Sequence, residues 1–260
     1  MNPLYAIVRK SLEPLDAELL KRAFRNVPEL TPYDINTVCN PEGGFLCRNF
    51  QPHQAMALQA NLKAEGVDVE IVAESQLPSL PPGKVIHRVR FTPEALMVED
   101  LIKGEVPVPW EQVSLLAAGS VQLTKLVHQQ KVTEEVRVTH IHAFHGVIPV
   151  PHAEIRTQYT TKEATDWFLR VEVFVAGAAM RYCIEAENFN FMPFGEGVTK
   201  DLAADFCLLV RGLAAGASKA LRNQGVNSIA SEPSEFVYYP RKNSFHDEII
   251  WMLWNAQRQG

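Results

Sequence analysis

The chain has 260 residues, a formal net charge of −5, and 47% hydrophobic and 21% charged residues. This composition is typical of a globular protein with a real core, which excludes a disordered polymer, and the length favours two domains. Lys and Arg nowhere collect without nearby acids, which argues against nucleic-acid binding through phosphate neutralisation.

Neither a signal peptide nor an apolar run of about 18 residues, the length that spans a bilayer, is visible. We therefore expect a cytoplasmic protein without a membrane partner. The four cysteines, Cys39, Cys47, Cys183 and Cys207, form no C-x-x-C pair. They are typical of small apolar side chains in a core, so no cofactor is predicted from them.

Residues 1–78 predict a small α+β module. The apolar and turn patterns place a strand at Leu4–Val8, helices from Pro14, Thr31 and Pro52, a brief strand at Phe45–Cys47 and a strand at Val67–Ile71. Gly66 supplies the left-handed stop of the third helix. The predicted order is β-α-α-β-α-β, with the helices covering one face of a small sheet.

Three features of this segment carry a resemblance: Leu30-Thr31 before the second helix, Phe45-Leu46 in the second strand, and the helix–glycine–strand stretch over 57–70. The module resembles the fold shared by the C-terminal domain of the bacterial ribosomal stalk protein and the adaptor of the Clp protease. The resemblance implies a module that binds proteins and does not catalyse. The lysine-rich helix face of the stalk domain is missing here, and a ferredoxin-like module is the alternative fold.

The stretch from Gln76 to Gly83 contains three prolines and little periodicity, and predicts a semi-rigid linker. Beyond it, residues 84–230 predict short strands, interrupted by a polar insertion near 122–164, and a closing helix. The predicted strands are Val85–Phe91, Ala95–Glu99, Val106–Trp110, Ser114–Gly119, Trp167–Val175 and Met180–Glu187, and the helix runs from Thr199 to Asn223. Pro107 and Pro109 require an edge strand, because proline donates no ladder hydrogen bond.

The segment resembles the bacterial members of the pleckstrin-homology-like fold. The features that carry this resemblance are the strand Ala95–Val98, the stretch Val108–Val113 with its tryptophan, and the closing helix Leu202–Leu221. The resemblance implies a β-barrel or sandwich with a C-terminal helix. Acids lie among its few basic residues, so we expect a protein partner or self-association in place of a lipid head group.

The histidine cluster is the main candidate for chemistry. His140 and His142 share one face of a strand, and His145 follows after a bend, an arrangement that could supply ligands to a zinc ion. Asp166 and Glu154 are the nearby acids. The alternative is a polar insertion with solvated imidazoles, because Phe144 stands where a metallo-hydrolase motif has an acid.

A second candidate is the glycine-rich turn Gly195–Lys200 before the closing helix. Such a turn exposes N–H groups that could hold a phosphate, but the Walker spacing is absent and Thr199 is typical of a plain helix cap.

The last segment, residues 231–260, predicts one amphipathic helix after Ser244. Its apolar face carries the partner-binding candidates Ile250, Trp251, Leu253 and Trp254. Either this face docks on the chain's own domain, or it is a docking helix for a partner. The sequence thus favours a non-enzymatic interaction or scaffold protein, and the alternative is a metal-binding protein or metal-dependent hydrolase that uses His140, His142 and His145.

Overall fold

A computed structural model describes residues 3–13, 15–31, 44–100, 104–143, 146–199, 201–231 and 235–259. Side chains are described in these ranges except within 124–164 and at positions 196 and 259. The chain divides into two compact units, Leu123–Trp167 and the rest of the chain. Helices and several sheets are combined, which confirms the predicted α+β class.

The N-terminal module, residues 3–76, contains a three-stranded antiparallel sheet. Strand β1 (Tyr5–Arg9) lies between β2 (Phe45–Phe50) and β3 (Val69–Ala73). Helices α1 (Ala17–Arg25) and α2 (Pro52–Ala64) cover one face of this sheet with apolar side chains. The helix predicted from Thr31 lies mostly in residues outside the described ranges.

Local signals mark the ends of the module's helices, and the stop predicted at Gly66 is confirmed, whereas the Asp16 cap of α1 was not predicted. The Asp16 carboxylate accepts the Glu18 N–H at 2.9 Å and caps α1. Gly66 has a φ of 82°, and Val67 donates its N–H to the Leu62 carbonyl at 2.9 Å, so the left-handed residue ends α2 and turns the chain into β3.

The largest sheet has the strand order β11-β8-β9-β10-β4, and β12 also pairs with β8. Its strands are β4 (Gly83–Val85), β8 (Val113–Ala143), β9 (Gly146–Val175), β10 (Met180–Glu185), β11 (Leu221–Arg222) and β12 (Tyr238–Tyr239). Helix α3 (Leu202–Gly216) and the shorter α4 (Gln224–Ala230) pack on it, and α5 (Lys242–Gln259) ends the chain.

A third sheet is an antiparallel meander of β5 (Val89–Phe91), β6 (Ala95–Asp100) and β7 (Gly104–Pro109). Pro107 and Pro109 lie on β7, which is an edge strand of this sheet. The prediction that these two prolines require an edge strand is therefore confirmed. The side chains of β5, β6 and α3 share one apolar core with the largest sheet. None of the described sheets closes into a barrel.

Three sequence predictions of element bounds were wrong. The strand Val85–Phe91 is split between β4 and β5, which belong to different sheets. The closing helix ends at Gly216 because the chain turns to form β11, and Gly225 lies inside α4. The described residues of the polar stretch over 122–164 belong to β8 and β9, so strand structure does not stop at Gln122.

Among the described residues, every helix is too short or too polar to cross a membrane.

Candidate functional site

Helix α5 packs against the chain through two of its faces. On one face Phe245 and Ile249 are fully buried, and Phe245 stacks edge-on against Tyr239 with ring centroids 5.1 Å apart. Because Phe245 and Ile249 are four residues apart, they lie one turn apart on the same side of the helix. This face anchors α5 to the largest sheet.

The second face of α5 covers the outer face of the N-terminal sheet, the face opposite α1 and α2. Ile250 is buried and Trp251 and Trp254 are half-buried there, against an apolar patch. The patch consists of Ala6, Val8, Phe45 and Val72, with Leu77 and Leu80 at its border. Leu253 is half-buried. The residues proposed from sequence as partner anchors therefore lie together, and three of them contact the chain's own sheet.

Trp251 fixes the position of α5 on this sheet. Its indole N–H donates to the Arg9 carbonyl at 2.8 Å. A Cβ atom added to Gly44 would overlap the Trp251 side chain, so only glycine leaves room for the indole at that position. The close approach explains why a glycine precedes β2.

Ion pairs surround the apolar contact. Arg48 of β2 binds Glu74 at 2.6 Å and Asp247 of α5 at 2.7 Å. Arg258 pairs with Glu70 of β3 and stacks its guanidinium over the Trp254 ring, 5.4 Å from the centroid. The two charge pairs between α5 and the module set the register of the helix on the sheet.

A buried ionic network lies between β9, β10 and α5. The Glu172 carboxylate is fully buried and accepts from Arg170 Nε at 2.8 Å and from Arg181 at 3.2 Å. His246 of α5 lies 3.3 Å from the same carboxylate, and Arg170 also binds Glu185 at 2.9 Å. These groups neutralise one another inside the fold.

Two groups at this network, Glu172 and Cys183, have shifted pKa values. Burial alone would raise the pKa of Glu172, but the hydrogen bond from His246 and the charges of Arg170 and Arg181 lower it to about 2. Burial, with the nearby Glu172 charge, raises the pKa of the Cys183 thiol to about 11. At neutral pH the Glu172 carboxylate is therefore ionised and the Cys183 thiol is protonated.

A second buried network joins α5 to α4. Asn223 accepts the N–H groups of Ala118 and Val226, both at 2.9 Å, and donates to the Ala118 carbonyl at 3.0 Å. Glu248 accepts the Gln224 N–H at 2.9 Å and the Tyr239 hydroxyl. The donors to the buried Glu248 carboxylate are thus neutral groups. Burial of the Tyr239 hydroxyl, together with the nearby Glu248 charge, raises the pKa of Tyr239.

The histidine cluster lies outside the described side chains. His140 and His142 fall within the bounds of β8, and His145 lies outside the described residues. Among the side chains that the structure describes, no group of three or more His, Cys, Asp or Glu residues is placed to hold a metal ion.

The glycine-rich turn binds the chain's own acids. The Asp205 carboxylate accepts the Thr199 N–H at 2.6 Å and the Thr199 hydroxyl at 3.0 Å. Asp201 accepts the Ala203 N–H at 2.9 Å and caps α3, where the sequence placed Thr199 as the cap. These carboxylates therefore occupy the Thr199 and Ala203 donors, which a phosphate at this helix start would otherwise reach.

A groove of about 410 Å³ lies beside the C-terminal end of α3. Its two arginines, Arg211 and Arg222, donate to the carbonyls of Ile229 and Ala214 at 3.2 and 2.6 Å. Cations at the carboxyl end of a helix stabilise its dipole, so the arginines have a structural partner there.

The sequence interpretation missed the Glu172 network. Its signal was the alternation of Arg170, Glu172 and Phe174 on one face of β9, opposite Arg181, Cys183 and Glu185 of β10. Charged residues of opposite sign at alternating strand positions can pair across a sheet face. Nothing in the sequence indicates that α5 buries this face.

Comparison of the chain with protein-family models, with curated proteins and with solved structures finds no match.

Proposed function

We propose that this chain is a non-enzymatic interaction protein that binds a protein partner by strand addition along β8. The supporting observation is the ribbon, defined here as the β8 and β9 segments within Leu123–Trp167. The described pairings of β8 with β11 and β12 end at Val121, and those of β9 with β10 end at Arg170. Beyond these points each strand has only its ribbon neighbour among the described strands.

A ribbon of two strands is expected to bind a partner for two reasons. A two-stranded sheet without further support is marginally stable in water. Its outer edges also carry unpaired N–H and C=O groups, which bind an added strand. A bound strand would satisfy these groups.

The sequence distinguishes the two edges. Pro149 and Pro151 lie two apart in β9, and proline within a strand is tolerated where its missing donor faces an open edge. The two prolines therefore reduce the number of N–H groups that the β9 edge can offer to an added strand. The ribbon part of β8 contains no proline, which favours β8 as the binding edge.

The test replaces Leu123–Trp167 with an Asn-Gly turn. We expect a chain with an unchanged body, judged by circular dichroism, that no longer co-purifies the proteins bound by the intact chain. A body that folds and still captures the same proteins would contradict the proposal.

A single substitution tests the edge itself. Ala118 and Ser120 direct their N–H groups to the outer edge of β8, where Asn223 Oδ1 and the Val237 carbonyl accept them at 2.9 Å. In a strand the N–H groups of every second residue point to the same edge. The N–H groups of even-numbered residues further along β8, such as Val136, should therefore also point to its outer edge. Val136→Pro should abolish partner binding, and Val136→Ala should preserve it.

The alternative function is metal binding by His140, His142 and His145. It is supported by the bounds of β8, which contain the first two histidines two positions apart. Metal analysis of protein purified without a histidine tag tests it. A stoichiometric metal that disappears in the His140→Ala/His142→Ala double variant would favour this function over strand addition.

For the fold, we propose that residues 84–230 are pleckstrin-homology-like and that the N-terminal module has the stalk-domain fold. The meander β5-β6-β7 followed by β8, β9, β10 and α3 supports the first relationship. The order β2-β1-β3 with helices on one face supports the second. An experimental structure tests both.

A further inference from the structure

The contact between the N-terminal module and α5 joins distant parts of the chain. The hydrogen bonds described between them each use at least one side chain, as in Arg48–Asp247 and Trp251 to the Arg9 carbonyl. None of the three described sheets combines strands of the N-terminal module with strands from the rest of the chain, and the linker leads directly into β4 at Gly83. The module therefore has an apolar core of its own, and its outer face packs against α5 within one compact unit.

The composition of this contact is typical of an interface that opens. Its two tryptophans are half-buried, and two ion pairs lie beside its apolar centre. The Trp254 indole nitrogen is buried without a hydrogen-bond partner. Domains of one chain that meet through such contacts generally move relative to each other.

The linker is the covalent connection between the two sides. It contains Pro78, Pro81 and Pro82, which favour an extended conformation, and its Leu77 and Leu80 border the apolar patch under α5. Extended chain spans at most about 3.3–3.6 Å per residue, so the reach of the module depends directly on linker length.

We propose that the N-terminal module exchanges between two copies of this chain, so that the sheet of one copy docks on α5 of the other. The charges are complementary for this exchange, because Arg48 faces Asp247 and Glu70 faces Arg258. The exchanged dimer makes the contacts described above, now between copies. Such an exchange closes with two-fold symmetry and leaves no open surface for further addition.

The exchange depends on protein concentration. Within one copy the linker gives the module a high effective concentration near its own α5, so dilute protein is monomeric. The proposal does not rest on the ribbon, and the dimer survives replacement of Leu123–Trp167 by a turn.

Linker length provides the test. Deletion of Pro81 and Pro82 shortens the linker by about 7 Å, and we expect the shortened linker to keep the module off the chain's own α5. We expect light scattering to report a dimer at concentrations where the natural chain is monomeric. Tryptophan emission should stay unchanged, because Trp251 and Trp254 remain covered. Insertion of four Gly/Ser residues at the same point is the matched control and should give a monomer.

Two further variants keep the test decisive if the shortened chain folds poorly. Gly44→Ala displaces Trp251 and should abolish the dimer of the shortened chain. In a chain with Arg48→Glu, and likewise in a chain with Asp247→Arg, the module should dock poorly on α5 because two like charges meet there. Mixed, the two chains should form a heterodimer at a concentration at least about tenfold lower than either forms a homodimer.

Two results would overturn the proposal. One is a shortened chain that is folded and monomeric with red-shifted tryptophan emission, which would mean that a released module finds no second copy. The other is a mixture of the two charge-reversed chains without heterodimers.

Discussion

The replacement of Glu172 by glutamine tests the central ionic network. Glu172 is fully buried, and its carboxylate faces Arg170, Arg181 and His246. Glu172→Gln keeps the shape of the side chain and removes its charge, which leaves two guanidinium groups without their shared counter-ion. Removing one partner of a buried ion pair costs about 3–5 kcal/mol.

The pKa of Glu172 gives an independent magnitude. Its fall from the ordinary value of 4.5 to about 2 corresponds to about 3 kcal/mol of preference for the ionised form in the folded protein. Because the folded pKa is depressed, this stability is fully present above pH 4.5. It is lost as the pH falls from about 4.5 to about 2.

The assay is urea unfolding of both proteins at several pH values between 2 and 7. We expect Glu172→Gln to lose about 3 kcal/mol at pH 7 and the two proteins to approach equal stability near pH 2. Glu105→Gln is the control, because Glu105 pairs with Arg90 at the surface, and we expect no measurable change there. A loss that is equally large at pH 2 and pH 7 would refute the electrostatic reasoning.

Three further predictions concern the remaining buried groups. Gly225→Ala should lower the urea midpoint of unfolding, because a Cβ atom at Gly225 would overlap the Ala118 carbonyl oxygen. Alanine otherwise favours helices, so an unchanged midpoint would contradict this packing. Tyr239→Phe should cost about 1–3 kcal/mol of unfolding free energy, because buried Glu248 loses a donor; a neutral effect would mean that water replaces the hydroxyl. Cys183, with a pKa of about 11, should be alkylated at pH 8 about 100-fold more slowly than in the urea-unfolded chain, and equal rates by mass spectrometry would refute its burial.

Local signals in the sequence located the elements whose ends have a chemical marker. Pro52 and Gly66 bracket α2 because proline fits the first turn and glycine adopts a left-handed φ. The edge position of β7 followed from Pro107 and Pro109. Such signals act within a few residues, so they need no knowledge of the rest of the fold.

Features that depend on distant parts of the chain were missed. The ribbon region reads as a polar interruption because its strands lack the clean apolar alternation of half-buried strands. The split between β4 and β5 is invisible because Val85–Phe91 alternates throughout. The partner of Glu172 on α5 is 74 positions away along the chain, which no periodicity encodes.

The first turns of α5 explain why one helix connects so many elements. His246, Asp247 and Glu248 are consecutive, and successive residues of a helix point about 100° apart. They therefore reach three different places: His246 faces Glu172 of β9, Asp247 binds Arg48 of the N-terminal sheet, and Glu248 accepts from the start of α4. All three contacts are made by charged or titratable groups, whereas the apolar residues on either side, Phe245 and Ile249, are fully buried. The apolar pair holds the helix on the body, and the polar triplet selects its rotation. His246 and Glu248 fix this rotation through the body alone, and with it the face that carries Trp251 and Trp254 is directed at the N-terminal sheet, where Asp247 adds its ion pair.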